Sequence, residues 1–176
     1  KVKKPPVVAR TAPLFPTVNG EALSLGAVAA LEEIAFGDAV SFSENIPAAS
    51  IFPANLLTYS ADRYHALVNW LGANRVSDLR PLQARLLGID QLMASPQPPI
   101  LPAQTAYLNK RAFTLGNCTG EIALTTDHGG KVQLTIMKQG VVFAKESVPG
   151  GKVLAAVAVV EAPQLQLTAH WDGFQR

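Results

Sequence analysis

Residues 153–160 read VLAAVAVV, eight apolar residues with no polar one between them. This is strand length, and well short of the 18 or so residues of a membrane-spanning helix. A strand with no polar side has no side for water, so both its faces must be covered and it must lie inside a sheet. The run predicts a central strand, and Val157 in its middle is expected to be covered on both sides.

The sequence around it supports a sheet. Ile122 and Leu124 alternate on one face over 121–126, as do Val132, Leu134 and Ile136 over 131–138. Between them stands Asp127-His128-Gly129-Gly130. Glycine accepts positive φ freely, so these residues predict a hairpin joining the two strands. Weaker strands are expected over 105–113, 141–145 and 164–171. The first half reads differently. Ser24 and Gly37 bracket a proline-free stretch, predicting a helix over 25–36. Ser60 and Gly72 bracket a second helix over 61–71, with Tyr64, Leu67, Val68 and Leu71 on one stripe and Asp62 in its first turn. Leu82, Ala84 and Leu86 alternate with Gln83 and Arg85, predicting a short strand, with a short helix as the alternative. Residues 38–59 read as an irregular packed connection. The prolines of residues 1–16 predict an extended linker or tail, and Pro96, Pro98, Pro99 and Pro102 a second rigid connection. The expected fold class is α+β: two or three N-terminal helices packed on a C-terminal antiparallel sheet of about five or six strands. The expected organisation is a linker over 1–16 and one domain over 17–176.

Composition narrows function by exclusion. The chain of 176 residues has a formal net charge of +2 and only 16% charged residues. A nucleic-acid binder concentrates basic residues on one face; here the tight basic cluster is Lys1, Lys3 and Lys4, in the linker. A surface poor in charge accepts contact with a partner more readily than a self-repelling one. Lys1 to Arg10 lacks the apolar stretch of a signal peptide, and since the chain opens on Lys, the expectation leaves room for a targeting or anchoring segment cut away upstream.

No group of residues has the spacing of a catalytic centre. Cys118 and His128 are the nucleophile and base worth testing, but ten residues of strand between them span about 30 Å. Cys118 therefore reads as a small buried side chain. His65, His128 and His170 share no metal-ligand spacing, and neither glycine pair, 129–130 or 150–151, leads into a helix as a phosphate cradle requires. No catalytic residue, metal ligand or cofactor is expected. Met137 is the exception to pattern. It falls on the face opposite Val132, Leu134 and Ile136, beside Gln133 and Thr135, where water is expected. Met137, Gln133 and Thr135 are therefore the candidate partner surface.

Three segments together carry a resemblance: Asn69-Trp70-Leu71-Gly72-Ala73, Leu82-Gln83-Ala84-Arg85-Leu86-Leu87-Gly88, and the strand Lys131-Val132-Gln133-Leu134-Thr135-Ile136. Over about residues 60–140 the chain resembles the extracytoplasmic half of single-pass bacterial anti-sigma-type proteins and related uncharacterised envelope proteins. That resemblance implies a small α+β domain following a proline-rich linker and a membrane helix. The His/Cys metal motif of the family's cytosolic part is absent, so sigma-factor binding does not carry over to these residues.

The function expected is thus a non-enzymatic extracytoplasmic interaction or sensing domain of a bacterial envelope protein, with another protein as its partner, no nucleic acid, and no membrane insertion by this stretch. The alternatives are a small-molecule binding module and an enzyme with Cys118 as nucleophile. A periplasmic or otherwise extracytoplasmic location is expected, with the cytoplasm as the alternative.

Overall fold

A computed structural model describes residues 10–103, 107–126, 130–149, 155–168 and 171–175. The chain is α+β and divides into two units, Lys1–Gly88 and Ile89–Arg176.

The first unit opens on a short antiparallel pair, β1 (Pro13–Pro16) and β2 (Ala22–Ser24). The end of the expected linker is therefore a strand, and Phe15 is buried in the core of this unit. Residues 1–9 lie outside the described ones. Helix α1 (Leu25–Ala30) starts where Ser24 predicts, with the Ser24 hydroxyl accepting the Ala27 N–H at 3.2 Å. It stops six residues short of the predicted end. Ile34, Ala35, Phe36 and Gly37 are all buried and form β3 (Ile34–Gly37). A continuous apolar run fits a fully buried parallel strand as well as a helix, and here burial on both faces decides. Arg75 closes the helix by donating to the carbonyls of Ala29 and Leu31. Gly37 is not a helix terminator either. A Cβ there would lie 2.8 Å from Gln83 Oε1 and 3.0 Å from Leu56 Cδ2, so glycine serves close packing.

After a short helix α2 (Ala48–Ile51) come β4 (Leu57–Thr58), α3 (Ala61–Leu71) and β5 (Val76–Asp78). The strands form a parallel sheet in the order β4-β3-β5. Helix α3 has the predicted bounds. Gly72 follows it at φ 94°, and Leu67 is buried with Tyr64, Val68 and Leu71 packed on the same cluster. Ser60 holds the N-cap place in extended backbone, but its hydroxyl makes no capping bond.

The strand predicted around Leu82–Leu86 is a helix, α4 (Arg80–Met93). The Asp78 carboxylate accepts the Arg80 N–H at 3.0 Å, and Pro81 sits in the first turn, where a missing N–H costs nothing. Gln83 made the alternation look real. It is a polar residue that is nonetheless buried, three positions before buried Leu86, with Ile89 and Met93 continuing the helical spacing.

The second unit holds a five-stranded sheet: β6 (Tyr107–Leu115), β7 (Cys118–Thr125), β8 (Lys131–Lys138), β9 (Val141–Pro149) and β10 (Ala155–Glu161), in the order β6-β7-β10-β8-β9. The central strand is the predicted one. The predicted hairpin is not present: β10 lies between β7 and β8, antiparallel to the first and parallel to the second, so the sheet is mixed. A strand apolar on both faces takes an interior place, and β10 gains it by separating two strands that are neighbours in sequence. The turn residues 127–129 lie outside the described ones. The helices and the expected sheet do not make one α+β layer pair within a unit: α1 to α3 belong to the first unit, which has a parallel sheet of its own.

Within the described residues of this sheet two hairpins do form. Gly116 and Asn117 join β6 to β7, with Gly116 at φ 59°; Gln139 and Gly140 join β8 to β9 at φ 51° and 74°. Positive φ at both Gln139 and Gly140, and at the first central residue Gly116 of the other turn, suits the twist of the flanking strands. The alternation over 164–171 makes no sheet strand; Leu167 bridges Phe174 within the C-terminal segment, and residues 169–170 are outside the described ones.

The proline-rich segment before β6 is a cover for the sheet. Leu101 is buried with Ala123, Met137 and Val159. Its N–H donates to the Glu121 carboxylate at 2.7 Å, its carbonyl accepts from Lys110 Nζ at 3.3 Å, and Lys110 pairs with Glu121 at 2.7 Å. The Lys110 ammonium, helped by the Leu101 N–H, holds the Glu121 carboxyl below the usual carboxylate range, against the opposing effect of desolvation. A depressed folded-state pKa stabilises above the unfolded value of about 4.3, and that stabilisation is lost as pH falls through the folded value. Glu121→Gln should therefore melt below the wild type at neutral pH, with the gap closing in acid below about pH 4. A melting gap that stays constant across that range would mean Glu121 does not tether Leu101 as an ion.

Candidate functional site

Met137, Gln133 and Thr135 share one face of β8, as predicted, and that face also carries Val157 and Val159 of β10. It is the face Leu101 covers. Met137 is only 4% exposed and belongs to the core; Thr135 is half-buried and Gln133 is exposed. Met137 thus presents nothing to a partner. Position along the strand explains the difference: Met137 lies at the end of β8 where Leu101 of the cover segment packs, and where the β8–β9 pairing also shifts. There the Gln97 N–H donates to the Gly140 carbonyl at 3.2 Å.

Cys118 is half-buried at the start of β7, with Gln164 Nε2 2.8 Å from its sulfur. His128 and His170 lie outside the described residues. His65 sits on α3 against the Tyr64 ring, with centroids 5.4 Å apart. No cluster of three or more His, Cys, Asp or Glu among the described residues is placed to hold a metal. No helix among them is long and apolar enough to cross a membrane.

The first unit contains a cleft of about 510 Å³. One wall is the chain leaving β3, residues 38–42; another is α2 and the turn behind it, within residues 48–54; Val18, Asn19, Leu56 and Gln83 complete the lining. Phe42 and Phe52 both line it and stack on each other, ring centroids 5.7 Å apart and planes 14° off parallel. Both rings are half-buried, so each keeps surface toward the cleft. The polar lining is largely engaged in the scaffold. Gln83 Oε1 accepts the Asp38 N–H at 2.8 Å while Gln83 Nε2 donates to the Asp38 carbonyl at 2.9 Å, the two bonds a neighbouring strand would make. Asn19 Nδ2 donates to the Ala54 carbonyl at 3.0 Å. The Asp38 side chain is exposed at the rim.

Beside this cleft the parallel strands end in a charged brace. Arg80 pairs with Asp78 at 2.6 Å and lies over the Tyr59 ring, 3.1 Å from its centroid. Hydrogen bonds from Arg80 hold the Asp78 carboxyl below its ordinary value, and Asp78 raises Arg80 in turn. The carboxyl ends of parallel strands are where ligands of open α/β sheets commonly sit. Here the brace fills that place with a cation already neutralised and stacked.

No family model, curated protein or solved structure matches this chain.

Among the residues lining the cleft Asp38 is the one charged side chain, and no His, Cys, Lys or Arg lines it beside Asp38. What it offers is an aromatic wall, aliphatic floor and fixed backbone. Sequence reading took residues 38–59 as a packed connection and did not separate Phe42 and Phe52 from the core around Ile46 and Leu56. The available signal was Pro47 and Pro53, which break the segment into two walls, with a phenylalanine near each.

Proposed function

We propose that the chain is a non-enzymatic interaction domain whose first unit holds another protein by seating an apolar side chain between residues 38–42 and 48–54. The stacked Phe42 and Phe52 carry this reading. Two half-exposed aromatic rings on a wall give a large apolar contact at low entropy cost, since each has few torsions to fix. Asp38 at the rim favours a basic residue beside the anchoring one. The cleft volume also suits a small apolar ligand, the second reading, because such sites run from about 300 to 1,000 Å³. Extracytoplasmic placement in a bacterial envelope goes with the first reading and rests on the resemblance of residues 60–140.

Selection of random linear peptides on the whole chain tests it. Selected peptides should share an aromatic or large aliphatic residue next to Lys or Arg. Phe52→Ser should weaken them by about tenfold or more, as loss of a central anchor does, while Phe15, in the core, stays packed and the fold is retained. Peptides that bind Phe52→Ser as well as the wild type would sink the proposal. Displacement of a fluorescent apolar probe without any peptide selection would favour the small-ligand reading.

A further inference from the structure

Among the described residues, the sheet of the second unit ends in two strands that pair on one side only, β6 and β9. An edge strand presents unpaired N–H and C=O groups, and proteins usually blunt it. At β9 the C-terminal segment stands close, with Trp171 and Phe174 against Phe143, and the strand ends in Pro149. β6 carries two such devices, the charges of Lys110 and Arg111 and a register shift between Tyr107 and Asn109, and beyond that shift it stays open. The strand runs from Tyr107 to Leu115 without proline, and its large apolar residues Leu108 and Leu115 are 60% and 76% exposed.

The direction of its free groups follows from the turn. Gly116 and Asn117 make a two-residue hairpin, so Leu115 and Cys118 close it as a hydrogen-bonded pair. Alternation then points the backbone groups of Phe113, Arg111 and Asn109 toward β7. Those of Thr114, Ala112 and Lys110 point away from the sheet. A second β6 pairing there about a twofold axis perpendicular to the sheet must match residues on one face, which limits the registers. An axis through Lys110 or Arg111 sets two like charges opposite each other, which destabilises a strand pair. An axis through Ala112 avoids this and overlaps residues 109–115 in full. It pairs Ala112 with itself and Lys110 with Thr114, all with outward backbone groups. It also sets Arg111 opposite Phe113 on both sides of the axis, as non-hydrogen-bonded pairs whose side chains are closest. A guanidinium beside a phenyl ring is attracted to its face. An axis through Phe113 avoids like charges too, but overlaps only residues 111–115.

We propose that β6 is a self-association edge, two copies of this chain pairing β6 with β6 antiparallel about Ala112 to join their five-stranded sheets into one. This goes beyond the cleft reading and does not depend on it. The small side chain at the axis lets the backbones meet, and the Arg111–Phe113 pairs set the register.

Light scattering and sedimentation on the whole chain test it. The wild type should show concentration-dependent dimers. Ala112→Pro removes an outward N–H, a change that edge strands tolerate, and should give a monomer of unchanged circular dichroism. In a Cys118→Ser background, Ala112→Cys should cross-link on oxidation. Lys110→Cys alone should not, and Lys110→Cys with Thr114→Cys should. A wild type monomeric up to about 1 mM would overturn the proposal. So would a dimer that survives Ala112→Pro, or one in which Lys110→Cys cross-links and Ala112→Cys does not. A monomer whose Arg111 and Phe113 resonances shift with a foreign peptide would overturn it in favour of another protein's strand.

Discussion

Gly120→Ala should abolish folding or cost more than about 3 kcal/mol, the range of severe packing defects. Gly120 lies in β7 opposite Val160 of β10 and is buried. A Cβ there would stand 2.0 Å from the Val159 carbonyl oxygen, 3.0 Å from its carbon and 3.1 Å from Val160 Cα. All three are backbone atoms of the central strand. No rotamer change relieves the clash; β7 and β10 must separate, and the contacts across their ladder go with it. Gly88→Ala is the matched control. Nothing lies within 4 Å of a Cβ at Gly88, inside α4, so alanine should hold or raise stability by up to about 1 kcal/mol through helix propensity. Urea melts of both variants decide. A Gly120→Ala protein with the wild-type midpoint would mean that β7 and β10 are not neighbours.

That pairing is also where sequence reading stopped. The central strand was legible because VLAAVAVV has no side for water, a property of the residues themselves. Helix α3 was legible because caps and stripe agree. Sheet order is a property of pairs, and adjacent strands with a glycine turn between them favour a hairpin when read locally. Only the need of β10 for two covered faces argues otherwise, and it does not say which strands flank it. The same limit hid α4. Gln83 is buried because its amide is matched by the Asp38 backbone, a partner 45 positions away; without that partner, a glutamine between apolar neighbours reads as a wet strand position. The cleft was less legible still, because its walls come from residues 18–19, 38–42, 48–56 and 83, with no periodicity in common. Phe42 and Phe52 could be seen as apolar, not as facing each other.

Met137→Asp should destabilise by about 3–5 kcal/mol, the cost of an unpaired charge in a core. Pattern alone predicts the opposite, since Met137 shares its face with Gln133 and Thr135. The structure reverses the order: Met137 is buried against Leu101, Ala123 and Val159, while Val157 on the same face is half-buried. The new carboxylate would also stand opposite Glu161, whose own carboxylate accepts the N–H groups of Gln139 and Gly140 at 2.6 and 3.2 Å. Desolvation and this like charge both raise the pKa of the introduced acid. A raised folded-state pKa means that the folded protein binds the proton more tightly, so the variant should gain stability relative to wild type as pH falls toward that pKa. Wild-type Glu121 and Asp78 move the other way, because their pKa values are depressed. Gln133→Asp, at an exposed position on the same face, should cost under about 1 kcal/mol with no such acid rescue. Met137→Leu, close in volume, should cost less than about 1.5 kcal/mol. If Met137→Asp melts like Gln133→Asp at every pH, the face of β8 that carries them is open to water, and Leu101 does not cover it.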